Sequence, residues 1–165
     1  MISLRLVRLI ETEAADLSDS LLQKFHTSQN TQGLRKVPER ELHDRCLEIY
    51  SHLGDWLLHK SSIDVEHRFH DIGVLRARQN VPLSDVIWGL FLTKEHLWSF
   101  LEHQGFLFGA VELHSELELL RLLDRFFDRA IYNVTIGYEQ GRQPAVPSTS
   151  DAGKTQPRKE VRATA

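Results

Sequence analysis

The chain has 165 residues, 41% hydrophobic and 26% charged, with a formal net charge of -3. That length supports one domain with a sizeable core, and the composition is ordinary for a soluble globular protein. Residues 141–165 hold five basic and two acidic side chains, which leaves residues 1–140 at -6, so nothing global draws the chain to nucleic acid or an anionic membrane.

The N-terminal stretch MISLRLVRLIETEAADL is interrupted by Arg5, Arg8 and Glu11. It is neither a signal peptide core nor a membrane span, and no apolar run approaches the roughly 18 residues a span needs. A first helix is predicted from about Ser3 to His26, because Leu6, Leu9, Ile10, Leu17, Leu21, Leu22 and Phe25 recur at three- and four-residue intervals. Polar turn formers break the pattern at Ser28–Gly33. Pro38, Glu39 and Glu41 suit the start of a second helix. It runs to about His59 with Leu42, Cys46, Ile49, Tyr50, Leu53, Trp56 and Leu57 on one face. Cys46 is the only cysteine, so no internal disulfide is possible; this fits a reducing cytoplasm and a small buried role for the thiol.

Ser61, Ser62 and Asp64 offer N-caps for a third helix, which carries Val65, Phe69, Ile72 and Leu75 or Arg76 to about Gln79 and closes at Asn80. Pro82 and Ser84 open a fourth, running to about His103 and ended by Gly105, with the apolar FLFGA as connection. The fifth is long, about Val111 to Gln140. Leu113, Leu117, Leu120, Phe127, Ile131, Val134 and Tyr138 form a seam along it, broken at Asp124. Leu119, Leu122, Phe126 and Ala130 form a second stripe. Two stripes make a face wide enough to meet both its own bundle and a second copy, so the seam is the predicted helix–helix interface of a homodimer. Beyond Gly141, Pro, Ser, Thr, Gly and charges dominate, and a disordered tail over 141–165 is expected. The expectation is an all-α chain: a five-helix domain over 1–140, for which helical bundles and globin-like folds both fit, plus that tail.

Nine histidines invite a metal or haem. Glu66 and His70 share one helical face, as do His67 and Asp71, so His67 and His70 are the candidate metal ligands; a site needs about three or four ligands, and the rest must come from another helix. His96, near Trp88, Phe91 and Trp98, is the candidate haem ligand. The simpler reading is solvated histidines and helix-supporting charge pairs, with no cofactor. No nucleophile elbow or Cys–His signature supports an enzyme. A helix-turn-helix reading of residues 72–101 fails because LSDVIWGLFLTKEHLWSFL is acidic and apolar where a DNA reader presents polar and basic groups.

One block carries a resemblance. Ile72-Gly73, Arg76-Ala77 and Val81-Pro82-Leu83, followed by an amphipathic helix over Asp85–Leu101, resemble the RsbRD N-terminal domain family, the sensory domains of RsbR-type stressosome co-antagonists; a looser similarity covers about residues 3–139. Gly73 permits close helix approach and Pro82 sets the next helix start. The resemblance implies a globin-related fold without haem and a dimeric, cytoplasmic, non-catalytic signal-input module. Its last helix would pass a signal to a STAS-type or kinase output, here a partner in trans. It supplies no catalytic residues.

Overall fold

The computed structural model describes residues 4–104 and 110–142, with the side chains of the second stretch described from His114. All its regular elements among those residues are helical. They are α1 (Leu4–Thr12), α2 (Ala14–Thr27), a 3₁₀ segment (Gln29–Lys36), α3 (Glu39–Ser51), a π-helical turn (Asp55–His59), α4 (Ser62–Arg78), α5 (Leu83–His103) and α6 (Ala110–Arg142). The all-α class holds, but eight elements stand where five helices were predicted. The first predicted helix is divided at Glu13, whose φ of -91° and ψ of 11° turn the chain so that both halves lay their apolar faces inward. The polar break winds into 3₁₀ geometry around Thr31, whose buried hydroxyl donates to the Phe25 carbonyl. The second predicted helix loses its α geometry after Ser51 and ends in the π turn, which puts Trp56 into the core. Gly105 and the FLFGA connection fall mostly outside the described residues, as does the expected tail from residue 143.

Local chemistry explains the better-predicted boundaries. At α4, Ser61 Oγ accepts from the Asp64 amide while the Asp64 carboxylate accepts from the Ser61 amide, a reciprocal cap. Asn80 ends the α4 turn at φ 55°, a left-handed conformation that Asn tolerates better than most residues. Pro82 precedes α5, where its missing N–H costs no helical hydrogen bond.

α4 and α6 lie side by side and run parallel. Val65 shares a cleft with Leu122 and Arg129, Gly73 meets Val134 and Tyr138, and Val74 meets Gly141. α5 runs back along α6, with Lys94 Nζ 2.6 Å from Asp124 and Val86 sharing a cavity with Val134. Trp56, Phe69, Phe126 and Phe127 tilt against one another at centroid distances of 5.3–6.5 Å, tying the π turn to both parallel helices.

The α4–α6 approach is set by glycine. A Cβ on Gly73 would stand 2.1 Å from the Val134 carbonyl oxygen. One on Gly137 would stand 2.0 Å from the His70 carbonyl oxygen, and one on Gly141 2.9 Å from Val74 Cα. The obstacles at all three positions include backbone, which cannot rotate aside. Alanine normally stabilises a helix interior over glycine by about 1 kcal/mol. Here Gly73→Ala or Gly137→Ala forces the helices apart, and overpacking costs about 1–3 kcal/mol or more. Each variant is therefore expected to have a lower urea midpoint than wild type; a higher midpoint would show that the helices are not seated this closely.

Candidate functional site

α3, the 3₁₀ segment, α5 and α6 all make hydrogen bonds at or beside the turn between α4 and α5. Arg76, in the last turn of α4, is almost fully buried, with its side chain 4% exposed. Its guanidinium donates to Glu41 of α3 at 2.5 Å and to Gln79 at 2.6 Å, and Gln79 in turn donates to the other Glu41 oxygen at 3.1 Å. Burial pushes the Glu41 carboxyl up, but the hydrogen bond and charge of Arg76, with help from Gln79 and Arg45, hold it below its ordinary value. Beside this pair, burial pushes the Cys46 thiol up to about 12 despite the nearby Arg76 charge, so Cys46 is a packed thiol with no reactive thiolate.

The turn itself is held from three sides. Tyr138 of α6 donates its hydroxyl proton to the carbonyl of fully buried Val81 at 2.6 Å. Lys36, at the end of the 3₁₀ segment, donates to the Asn80 carbonyl at 2.8 Å. Asp85, in the first turn of α5, accepts from the Gly33 amide at 2.7 Å, and Pro82 sits so close that Gly33 has no room for a side chain. Five residues of the motif thus have a physical task. Gly73 seats α6, Arg76 fastens α3, Ala77 packs near Gly141, Val81 receives Tyr138, and Pro82 closes on Gly33. Sequence reading found the motif but not Glu41 as the partner of Arg76, nor Gly137 and Gly141 as the other half of the seam. Their four-residue spacing, which puts them on one face of α6, was the available signal.

A cavity of about 80 Å³ opens beside this network. It is walled by apolar side chains from α2 to α6, Phe25, Leu42, Ile72 and Val86 among them, with Arg45 and Arg76 at its edge. Ligand pockets run to about 300–1,000 Å³, so it holds a few atoms or lets side chains repack; it does not hold a haem. The candidate haem ligand His96 does not line it. His96 is buried between α5 and α2 with Nε2 3.2 Å from the Leu17 carbonyl. Desolvation and the Lys24 charge lower its pKa, which favours the neutral ring, although the Leu17 bond works the other way. Of the candidate metal ligands, His67 is exposed and His70 Nε2 lies 2.8 Å from Gln140 Oε1. Among the described residues no three His, Cys, Asp or Glu side chains converge to hold a metal ion, and no helix is long and apolar enough to cross a membrane.

The predicted interface residues are divided. Phe127, Val134 and Tyr138 are buried within their own chain, Leu120 and Ile131 are half-buried, and Leu117 is exposed; the Leu113 side chain lies outside the described residues. The second stripe is largely spent inside as well, with Leu119, Phe126 and Ala130 buried. On α5, Trp88 and Phe91 are exposed and pack edge to face at 6.1 Å.

The Arg76–Glu41 pair generates a pH test. A carboxyl held below its unfolded value adds stability that is fully present above that value, 4.5, and is lost as pH falls through the lower folded value. Removing one partner of a fully buried pair costs about 3–5 kcal/mol, and the partial exposure of Glu41 brings the expected cost of Arg76→Ala to about 2–3 kcal/mol. Glu41→Gln should flatten the loss of stability below pH 4.5 seen in wild-type urea titrations; an unchanged acid limb would contradict the assignment.

The family model of the RsbT co-antagonist protein rsbRD N-terminal domain matches residues 15–148. No curated protein matches, and no solved structure matches.

Proposed function

The chain belongs to the rsbRD N-terminal domain family of RsbT co-antagonist proteins, and from that premise we propose that it is a non-catalytic, cytoplasmic signal-input domain of a bacterial stress-regulatory system. The observation that carries the reading is the convergence of α3, the 3₁₀ segment, α5 and α6 on the α4–α5 turn through single side chains. A change in the packing of α4 against α5 moves Val81 and the Gly73 seat together. Because α6 is bonded to the first and pressed against the second, it shifts with them. The small cavity between these helices supplies the slack for such a change. The partner that receives the shift is a regulatory protein of kinase or STAS type.

The active form in this proposal is a homodimer. Exposed aromatic pairs are uncommon away from interfaces, and Trp88 and Phe91, with Trp98 two turns on and Lys94, Glu95 and Glu102 around them, give α5 an apolar centre with a polar rim. Leu117 and Tyr132 are the exposed apolar side chains of α6 available to the same assembly. Light scattering at high micromolar concentration should give the mass of a dimer. Trp88→Glu with Phe91→Glu should give a monomer with unchanged helical circular dichroism, since interface aromatics contribute about 2 kcal/mol or more each. A monomeric wild type overturns the dimer relay, and a dimeric double variant moves the interface elsewhere.

A further inference from the structure

A second cleft, of about 140 Å³, lies away from the turn, at the other end of the α4–α6 pair. Its polar lining is cationic: Lys60 after the π turn, and Arg125 and Arg129 one turn apart on α6, with Ser61 and Ser62 opposite. No carboxylate lines it. This stands against a chain whose first 140 residues carry -6.

The two arginines are not paired with carboxylates among the described residues, and Lys60 acts only at longer range on Asp64 and Glu48, neither of which lines the cleft. Arg125 and Arg129 are exposed, and neither forms an ion pair among the described residues. Like charges four residues apart on a helix repel by a few tenths of a kcal/mol, so this placement works against the stability of α6. Lys60 is held by the aromatic floor, its ammonium 5.4 Å from the centre of the Trp56 ring. It also acts on the Asp64 carboxylate, but Asp64 is engaged by the Ser61 cap and does not line the cleft. The cleft therefore combines two guanidinium forks, a positioned ammonium and two hydroxyls above a floor that includes Trp56 and Phe126.

We propose that this cleft binds a phosphoryl anion. A phosphate monoester carries about -1.5 to -2 charge at neutral pH and presents three acceptor oxygens, which matches bidentate arginine recognition supplemented by a lysine point charge. A molecule of liquid water occupies about 30 Å³, so the cleft holds several waters' worth of ligand, the size of a phosphoryl group. The aromatic floor suits the organic part of a small monoester. The site shares no residue with the turn network or the α5 aromatic face, so it stands or falls independently of the sensory reading.

Titration calorimetry at fixed ionic strength, with inorganic phosphate and phenyl phosphate as probes, tests it. Wild type should bind saturably. Arg125→Gln with Arg129→Gln, both at exposed positions that leave the core intact, should weaken binding about ten-fold or more, since each charge-assisted hydrogen bond contributes about 1.5–3 kcal/mol. Lys60→Gln should weaken it independently. Tighter binding of phenyl phosphate than of phosphate identifies a monoester as the occupant, and equal binding identifies free phosphate. No saturable binding of either probe to wild type, or equal affinity in the folded double variant, overturns the proposal.

Discussion

The contact on which the fold depends is between two backbones. α4 and α6 run parallel with Gly73 against the Val134 carbonyl and Gly137 against the His70 carbonyl, separations that no side chain tolerates. Dense packing makes such a contact all-or-none: the helices are either seated or separated, with little ground between. The aromatic cluster of Trp56, Phe69, Phe126 and Phe127 closes one end of the pair. Tyr138, reaching the Val81 carbonyl, closes the other. α6 is thus a central helix, flanked by α4 and α5, and most of its apolar surface is used within the chain.

That explains which parts were legible in the sequence. Helix existence followed from apolar period, and the α4 start and the α4–α5 turn from Ser61, Asp64, Asn80 and Pro82, residues whose effects are local. The break at Glu13 carries no glycine or proline, and the one after Ser51 holds only Gly54, in ordinary helical geometry; both arise because neighbouring helices bend the chain to bury Ile10, Ala14 and Trp56, a tertiary effect invisible in a one-dimensional pattern. The two stripes of α6 were read correctly as apolar. Whether either faces a second chain is not readable from the pattern, because periodicity reports that a face is covered and not by what. Arg76 was visible as a motif residue but its task was not, since that lies in Glu41, 35 residues away.

Gly73, Arg76, Ala77, Val81 and Pro82 of the motif all have structural tasks, and that bears on the proposed function. A catalytic motif gathers reactive groups in a cleft; this one gathers a glycine, a buried ion pair, an alanine, a carbonyl and a proline around a turn. Such residues define a joint. The joint connects α5, where Trp88 and Phe91 are exposed, to α6, and the signal-input role proposed above needs such a joint. The cationic cleft at the far end of the same helix pair adds a place where a charged small molecule would bear on α4 and α6 together.

The central claim is that α4 and α6 are one cooperative unit seated on glycine. Native-state hydrogen exchange measures this most directly, because residues that open together share one opening free energy. The account predicts that amides flanking Gly73 in α4 and those from Val134 to Tyr138 in α6 exchange with the same free energy, close to that of global unfolding, and that Gly73→Ala lowers both equally. Exchange of the α6 segment at a clearly lower free energy, while α4 stays protected, would contradict it.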